Sequence, residues 1–533
     1  MKKRIIGVFL LFSSLSVNAQ QIATGYIFED KNNSGKKERA EKGVANVAVS
    51  NGQDVVLTDS DGKYSLPLRG DDIIFVIKPA GYQAPVDEYN LPKFYYIHKP
   101  DGSPDLFYKG VPPTGVLRGS LDFGLTLCDE PETFSAFIFG DSQTYSEQEV
   151  AYFTKGIIEE VKNKQNDSRC RFGITLGDLV GDDLSLHPSY KNAIRQIGLP
   201  WYNVIGNHDM NYDVKEDVFS DETFERNFGP ATYSFNYGKA HFILLDNILY
   251  PDPITGKGYR GGFRKEQLAF IENDLKYVNP DRLIIINMHI PWLEEEYKEA
   301  FRDTDRQQLY SLLNDFPNVL ILSAHTHIQC HNFIKKENDP NRLKPIHEYN
   351  VGTSCGDWYS GLLNNMGVPV STMRDGTPKG YALLNVTGNQ YTLDYKAAGF
   401  PDSYQVSVYH PKVVPYKGRW ITSGIYANFF MGSDNDLVEY RVDDGKWVKM
   451  DKIEDYDPAY YRYVQDWDYA DDVKPVRRPS NPQICRHLWR ANIPSALPVG
   501  EHRIEVRATD MFGRVFTQSS LYKIADLQEY GRR

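Results

Sequence analysis

Five short clusters of carboxylate, amide and imidazole side chains stand in the middle of this sequence, each directly behind an apolar run. They are Asp141-Ser-Gln143, Gly177-Asp178, Gly206-Asn207-His208-Asp209, Met288-His289 and His325-Thr-His327. Oxygen and imidazole donors in this mixture suit divalent cations. Two cations about 3.5–4 Å apart neutralise charge on a phosphoryl oxygen and make hydroxide available near neutral pH, which is what phosphoester hydrolysis requires. A shared carboxylate must bridge such a pair, and Asp178 is the natural candidate. An imidazole beside the cations can stabilise charge or protonate the leaving oxygen.

Residues this far apart need a scaffold that gathers them. The apolar runs 134–139, 172–176, 202–205, 241–245, 283–288 and 319–323 read as buried strands. Amphipathic stretches near 147–163, 264–278 and 303–314 read as helices, with Leu268, Ile271 and Leu275 on one face of the second. Alternating strands and helices predict a layered α/β domain over 132–400. Ligand sites in open α/β sheets lie at the carboxyl ends of strands, so clusters placed there can converge. Residues 22–110 and 403–526 read instead as short strands punctuated by Asx and Gly turns, each a β-sandwich, the second immunoglobulin-like. Gly110-Val-Pro-Pro-Thr-Gly115 reads as a linker, and the polar, aromatic stretch 456–482 as a long loop or insertion.

The ordered clusters resemble the calcineurin-like metallophosphoesterases, whose motifs are D-x-H, G-D-x-x-x-D, G-N-H-D/E, a lone His and G-H-x-H. The resemblance covers roughly half the chain and implies a four-layer α/β/β/α core. It implies Asp141, Asp178 and His327 as ligands of a first metal, and Asp178, Asn207, His289 and His325 as ligands of a second. It makes His208 the catalytic imidazole, Asp209 its orienting partner, and Asp182 a more structural acid. Gln143 stands where the family usually has His; its oxygen is a harder, weaker ligand, which shifts the expected pair from Zn²⁺ toward Mn²⁺, Mg²⁺ or Fe. The same Gln occurs in a branch acting on nucleotide-diphosphate compounds. Ala324 replaces the usual Gly before His325. The flanking β domains resemble a subgroup common in Bacteroidota.

Substrate contacts are expected from His187, after the second cluster, and from Trp358 and Tyr359 in the small-residue loop 352–361, whose rings could pack on a base or sugar. Arg374 and Tyr259-Arg260 could clamp a phosphate. The expected substrate is a small-molecule or glycan phosphoester, a phosphodiester first, with monoesters and nucleotide pyrophosphates as alternatives. Outside enzymes, the two β domains and 36 Tyr would suit a surface glycan-binding protein. A net charge of -11 argues against a nucleic-acid polymer as partner. Lys2-Lys-Arg4, the apolar run from Ile5 and Val17-Asn-Ala19 read as an export signal over 1–19, which predicts a periplasmic or cell-surface protein. That run is shorter than the roughly 20 residues of a spanning helix. No transmembrane segment is expected after cleavage.

Overall fold

The computed structural model describes residues 21–165, 169–293, 301–335, 344–418 and 422–526; the expected export signal lies outside them. Two sheets form the centre. In the first, β1 (Thr133–Phe139), β2 (Cys170–Leu176) and β3 (Trp201–Val204) run parallel. The second contains β4 (Tyr233–Tyr237), β5 (Ala240–Leu245), β6 (Leu283–Met288), β7 (Val319–Ser323), β8 (Cys330–Ile334) and β9 (Ile346–Asn350). The antiparallel hairpin β10 (Gly380–Thr387) and β11 (Gln390–Ala397) completes the first sheet, in the order β3-β2-β1-β10-β11. The second sheet has the order β4-β5-β6-β7-β9-β8, with β5, β6, β7 and β9 parallel and both edges antiparallel.

Period-two alternation explains how the sheets stack. Phe134 of β1 points between the sheets to Phe242, Phe172 meets Phe242 edge-on at 5.3 Å, and Tyr202 stacks on Phe235 at 4.1 Å. Phe139, at an odd position, points the other way and meets Phe153 of α1 (Glu147–Phe153). Each such buried aromatic contributes about 1.5–3 kcal/mol. Ser146 caps α1 by accepting the Glu149 N–H, and after a wide turn at Thr154–Ile158 the helix continues to Gln165. The helices α2 (Lys265–Leu275) and α3 (Asp303–Leu312) accompany the second sheet. The observed elements differ from the sequence reading mainly by one or two end residues; the edge strands β4, β8 and β11 and the inner strands β9 and β10 carry weaker apolar signals and escape it.

The N-terminal sandwich extends further than residue 110. Phe123–Leu127 pairs parallel with Ile22–Glu29, Ile27 opposite Phe123. Between them the chain leaves the sandwich, crosses the core at Lys99 and Phe107, and returns. The linker-like glycines and prolines mark that excursion, not a boundary. At Lys78 the sandwich meets β4, whose Asn236 N–H donates to Lys78 O at 2.8 Å, so this edge of the second sheet is covered.

The C-terminal domain is a two-sheet sandwich of strands between Val406 and Ala525. The stretch expected as a loop begins instead with a helix, α4 (Pro458–Asp468). Asp457 accepts the Tyr460 N–H and Pro458 occupies the first turn, where its missing N–H costs nothing. Among the described residues no helix is long and apolar enough to cross a membrane.

Candidate metal centre

The five clusters all sit where β1, β2, β3, β6 and β7 end, and the loops behind them are strained in a shared way. Gln143, Asp178, Asp182, His325 and His327 have φ between +31° and +73°, a region that costs a non-glycine residue about 1–3 kcal/mol. Two glycines make the close approach possible. A Cβ on Gly206 would lie 2.0 Å from Asp178 N, and one on Gly177 would lie 2.6 Å from His289 Nδ1. The G-D and G-N-H spellings therefore encode a close crossing of two loops.

The donors converge. One nitrogen of His289, one of His325 and one oxygen of Asp178 all lie within 4.8 Å of one another. His289 Nδ1 donates to Leu176 O at 2.8 Å, which turns Nε2 toward Asn207 Oδ1 at 3.1 Å, His325 Nδ1 at 3.1 Å and Asp178 Oδ2 at 3.3 Å. His327 Nδ1 donates to Gly356 O at 2.8 Å and turns Nε2 to Asp141 Oδ2 at 2.9 Å. An N–H given to a backbone carbonyl is how proteins orient a metal-ligating imidazole. Gln143 Oε1 is buried and makes no hydrogen bond, and Asp141 Oδ2 is buried against His327 Nε2. Lone pairs facing one another at this spacing need a cation between them, so the residues fit two divalent ions.

Protons balance the charge in the protein alone. Burial opposes the charged form of His289, but the Asp178 carboxylate overrides it and raises the ring to about 9. Burial pulls His325 down to about 3, assisted by the neighbouring His289 cation. Burial also works against ionised Asp178, yet the His289 and His208 charges hold it well below the usual carboxylate range.

His208 lies at the open side, its side chain 25% exposed, and its backbone N–H donates to Asp178 Oδ1 at 2.9 Å. Its Nδ1 is 2.7 Å from Asp182 Oδ1, so Asp182 orients the ring. Burial lowers this imidazole, and the Asp178 charge and the Asp182 hydrogen bond outweigh it, leaving the ring above its ordinary value. Asp209, expected in that role, is fully buried and accepts the N–H groups of Leu179, Val180 and Gly206 at 2.9–3.2 Å. It points inward from the turn and pins the two loops together. The two acids thus exchange the roles that the motif resemblance implies.

The expected substrate contacts separate. His187 is fully buried, 3.6 Å from Asp209 and packed edge-on against Phe228, so it cannot touch a substrate. Tyr359 is 4% exposed and donates to Ser142 O at 2.6 Å, bracing the first metal loop. Trp358 is partly exposed and stacks on His327, ring centroids 4.2 Å apart. Two guanidinium groups face its indole, Arg374 at 5.3 Å and Arg477 at 5.8 Å. Arg374 also donates to Thr326 O at 2.6 Å. Arg260 pairs with Asp252 instead of turning to the centre.

The structure adds three features around the centre, of which the sequence reading names only Tyr259. Tyr145, Tyr212 and Tyr259 form an exposed rim: Tyr145 lies 6.0 Å edge-on from His208, Tyr259 6.1 Å edge-on from His325, and Tyr212 donates to Asn207 O at 2.5 Å. For Tyr145 and Tyr212 the only signal was proximity to a cluster in sequence. The stretch after α4 returns to the centre, where Arg477 donates to Trp358 O at 3.1 Å and Ser480 N–H to Asp357 Oδ2 at 2.6 Å. His487, on a C-terminal strand, lies 3.1 Å from buried Asp375.

Residues 138–329 match the family model described as calcineurin-like phosphoesterase, residues 31–108 the model of its N terminal, and residues 348–516 the model of its C terminal. A probable glycerophosphodiester phosphodiesterase, GpdQ of Arcobacter nitrofigilis, is 27% identical over 142 residues, which are 26% of this chain and 49% of that protein. The chain thus matches about half the length of that curated relative. A dimetal phosphatase from Danio rerio aligns at 13% identity over 50% of this chain and 97% of its own, with a TM-score of 0.34. Purple acid phosphatase PPD1 from yellow lupin aligns at 14% identity over 66% and 67%, with a TM-score of 0.36.

Proposed function

We propose that this chain, which belongs to the calcineurin-like phosphoesterases, is a two-metal hydrolase of phosphodiesters. The observation that carries the reading is the convergence of Asp178, Asn207, His289 and His325 donors beside Asp141 and the unpartnered, buried oxygen of Gln143. Two divalent cations bound there would neutralise phosphoryl oxygens and supply hydroxide near neutral pH. Asp178 would bridge them, Asp141, Gln143 and His327 would complete one position, and Asn207, His289 and His325 the other. Mn²⁺, Mg²⁺, Fe and Zn²⁺ all suit such donors.

In this reading water adds to phosphorus and the opposite P–O bond breaks. His208 gives a proton to the departing alkoxide, and Asp182 keeps Nδ1 engaged so that Nε2 carries that proton outward. The preference for diesters is supported by the Arcobacter relative, a probable glycerophosphodiester phosphodiesterase. The basic, apolar leader 1–19 supports action outside the cytoplasm.

The test is an assay with Mn²⁺ on a nitrophenyl diester, a nitrophenyl monoester and a dinucleotide pyrophosphate, alongside metal analysis. The diester is expected to turn over fastest, and His208→Ala to keep both cations while losing about 10²–10⁴ in kcat. A faster monoester or pyrophosphate would move the substrate class. Two bound cations with no hydrolysis, together with glycan binding, would overturn the enzyme reading.

A further inference from the structure

We propose that the C-terminal domain positions one half of the metal centre: His487, Ser480 and Arg477 fix the turn and the loop that aim His327, while His289 and Asn207 are aimed from within the core. The inference rests on the two-metal reading and adds what holds each metal position.

The first connection is buried. Asp375 Oδ2 accepts the N–H of Gln329, two residues past His327, at 2.8 Å, and lies 3.1 Å from His487 Nε2. His487 Nδ1 lies 2.8 Å from Asn428 Oδ1. The Asn428 amide nitrogen is committed elsewhere, to Asp375 O at 3.0 Å and Asp457 Oδ2 at 3.1 Å, so its oxygen faces the ring and both imidazole nitrogens donate. Asp457 in turn caps α4. All four side chains are buried, and losing one partner from such a network leaves the others unsatisfied. Seating of the C-terminal domain therefore stiffens the turn that carries His327.

The second connection holds loop 352–361, which aims the ring. Gly356 O accepts His327 Nδ1–H, and Trp358 stacks on the same imidazole. Trp358 and Tyr359 have φ of +48° and +54°, strain that persists where the surroundings over-determine the backbone. The core supplies part of that support: the N–H groups of Ser354 and Cys355 donate to Gly140 O and Asp141 O at 3.1 and 3.0 Å. Farther along the loop the C-terminal domain supplies the rest. Asp357 Oδ2 accepts the Ser480 N–H, Trp358 O accepts from the Arg477 guanidinium, and the Gly361 N–H donates to Arg477 O at 2.8 Å. Helix α4 comes so close that a Cβ on Gly361 would lie 2.8 Å from Tyr463 Oη.

His289 is held differently. Its Nδ1 donates to Leu176 O, and its backbone N–H donates to Asn247 Oδ1 at 3.2 Å. Asn207 O accepts the Tyr212 hydroxyl, and Asp209 pins the turn beneath it. Those partners belong to the core, so the two metal positions rest on different supports.

The test titrates the full chain with Mn²⁺ by calorimetry, with electron paramagnetic resonance to tell coupled from single ions. His487→Leu is expected to weaken one of two positions about 10–100-fold, the usual cost of losing support behind a metal ligand, and to leave the other unchanged. Added to His327→Ala it should cost nothing further; added to Asn207→Ala it should weaken the position that remains. His487→Gln, which keeps one donor, should recover part of the loss, and Arg477→Gln, at the surface, should give a smaller loss at the same position. Hydrogen exchange of the metal-free protein is the second readout. His487→Leu should speed exchange at 326–329 and 356–361 and leave 205–209 and 287–290 as they were. Equal weakening of both positions, a loss that adds to that of His327→Ala, or exchange that rises alike in all these segments would overturn the positioning. A wild type that binds no Mn²⁺ would remove the two-metal reading, and the exchange pattern would then decide the positioning on its own.

Discussion

Among the described residues, two clusters of buried acids differ in the groups that face them. At the metal centre Asp141 and Asp178 face His289, His325 and His327. At the seam between the N-terminal sandwich and the core, Asp217, Asp221 and Asp246 surround Arg264 at 3.0–3.6 Å, and Glu222 and Glu225 hold Lys99 at 2.5–2.7 Å. The difference is the countercharge. Arg264 and Lys99 are permanent cations, so that cluster is a closed ionic clamp. Imidazoles can give up their protons, so the other cluster can exchange protons for metal ions. Burial of carboxylates is common to both and does not identify a site; titratable partners and strained strand-end backbones do.

The comparison can be broken in order of expected effect. Asp178→Asn removes the shared carboxylate and is expected to cost at least about a thousandfold in turnover, with loss of bound metal but little change in unfolding free energy. Arg264→Met should do the reverse. It leaves three acids around an empty position and is expected to destabilise the fold by about 3–5 kcal/mol in denaturant, with metal content and kcat of the folded fraction kept. If Arg264→Met also emptied the metal centre, the two clusters would not be independent.

Smaller effects sharpen the contrast. Asp182→Asn is expected to slow turnover about 10–100-fold and to shift the acid limb of the pH profile, because it alters the partner of His208. Asp209→Asn acts through the turn and should reduce stability. A pH shift in Asp209→Asn with none in Asp182→Asn would restore the order of roles that the motif resemblance implied.

The two clusters should also respond to pH with opposite sign. Raising the pH toward the His289 value of about 9 removes the proton that competes with metal, so cation affinity should rise and proton release should fall. Calorimetry in buffers of different ionisation enthalpy measures that release. At the seam, burial and the Asp221 charge push Glu225 up to about 8, and burial likewise holds Asp246 near 8. Such acids keep a proton in the fold that the unfolded chain loses near pH 4.5, so the fold weakens as pH rises from about 4.5 to 8. Melting curves in chelator should show this slope, and Glu225→Gln should reduce it.

Much of the centre was legible because its signals are local. An apolar run followed by Gly-Asp or Gly-Asn-His states both a buried strand and what stands at its end. What was not legible depends on direction. Asp182 and Asp209 are both near His208 in sequence or motif; the positive φ of Asp182 turns its carboxylate to the ring, and the turn at Asn207–Asp209 sends Asp209 inward. His187 lies beside the second cluster yet opens a helix whose buried face takes it under Phe228. Arg477 and His487 come from a domain more than a hundred residues downstream, and no local pattern points from them to His327.

The sequence by itself determined the layered core, the two β flanks and the order of donors along the chain, because strand patterning and strand-end chemistry are read within a few residues. Only the tertiary structure decided which acid orients His208, which aromatic residues rim the centre and which flank reaches it. Those depend on contacts between segments far apart in the chain, where a single left-handed backbone angle or a domain seam sets the direction of a side chain.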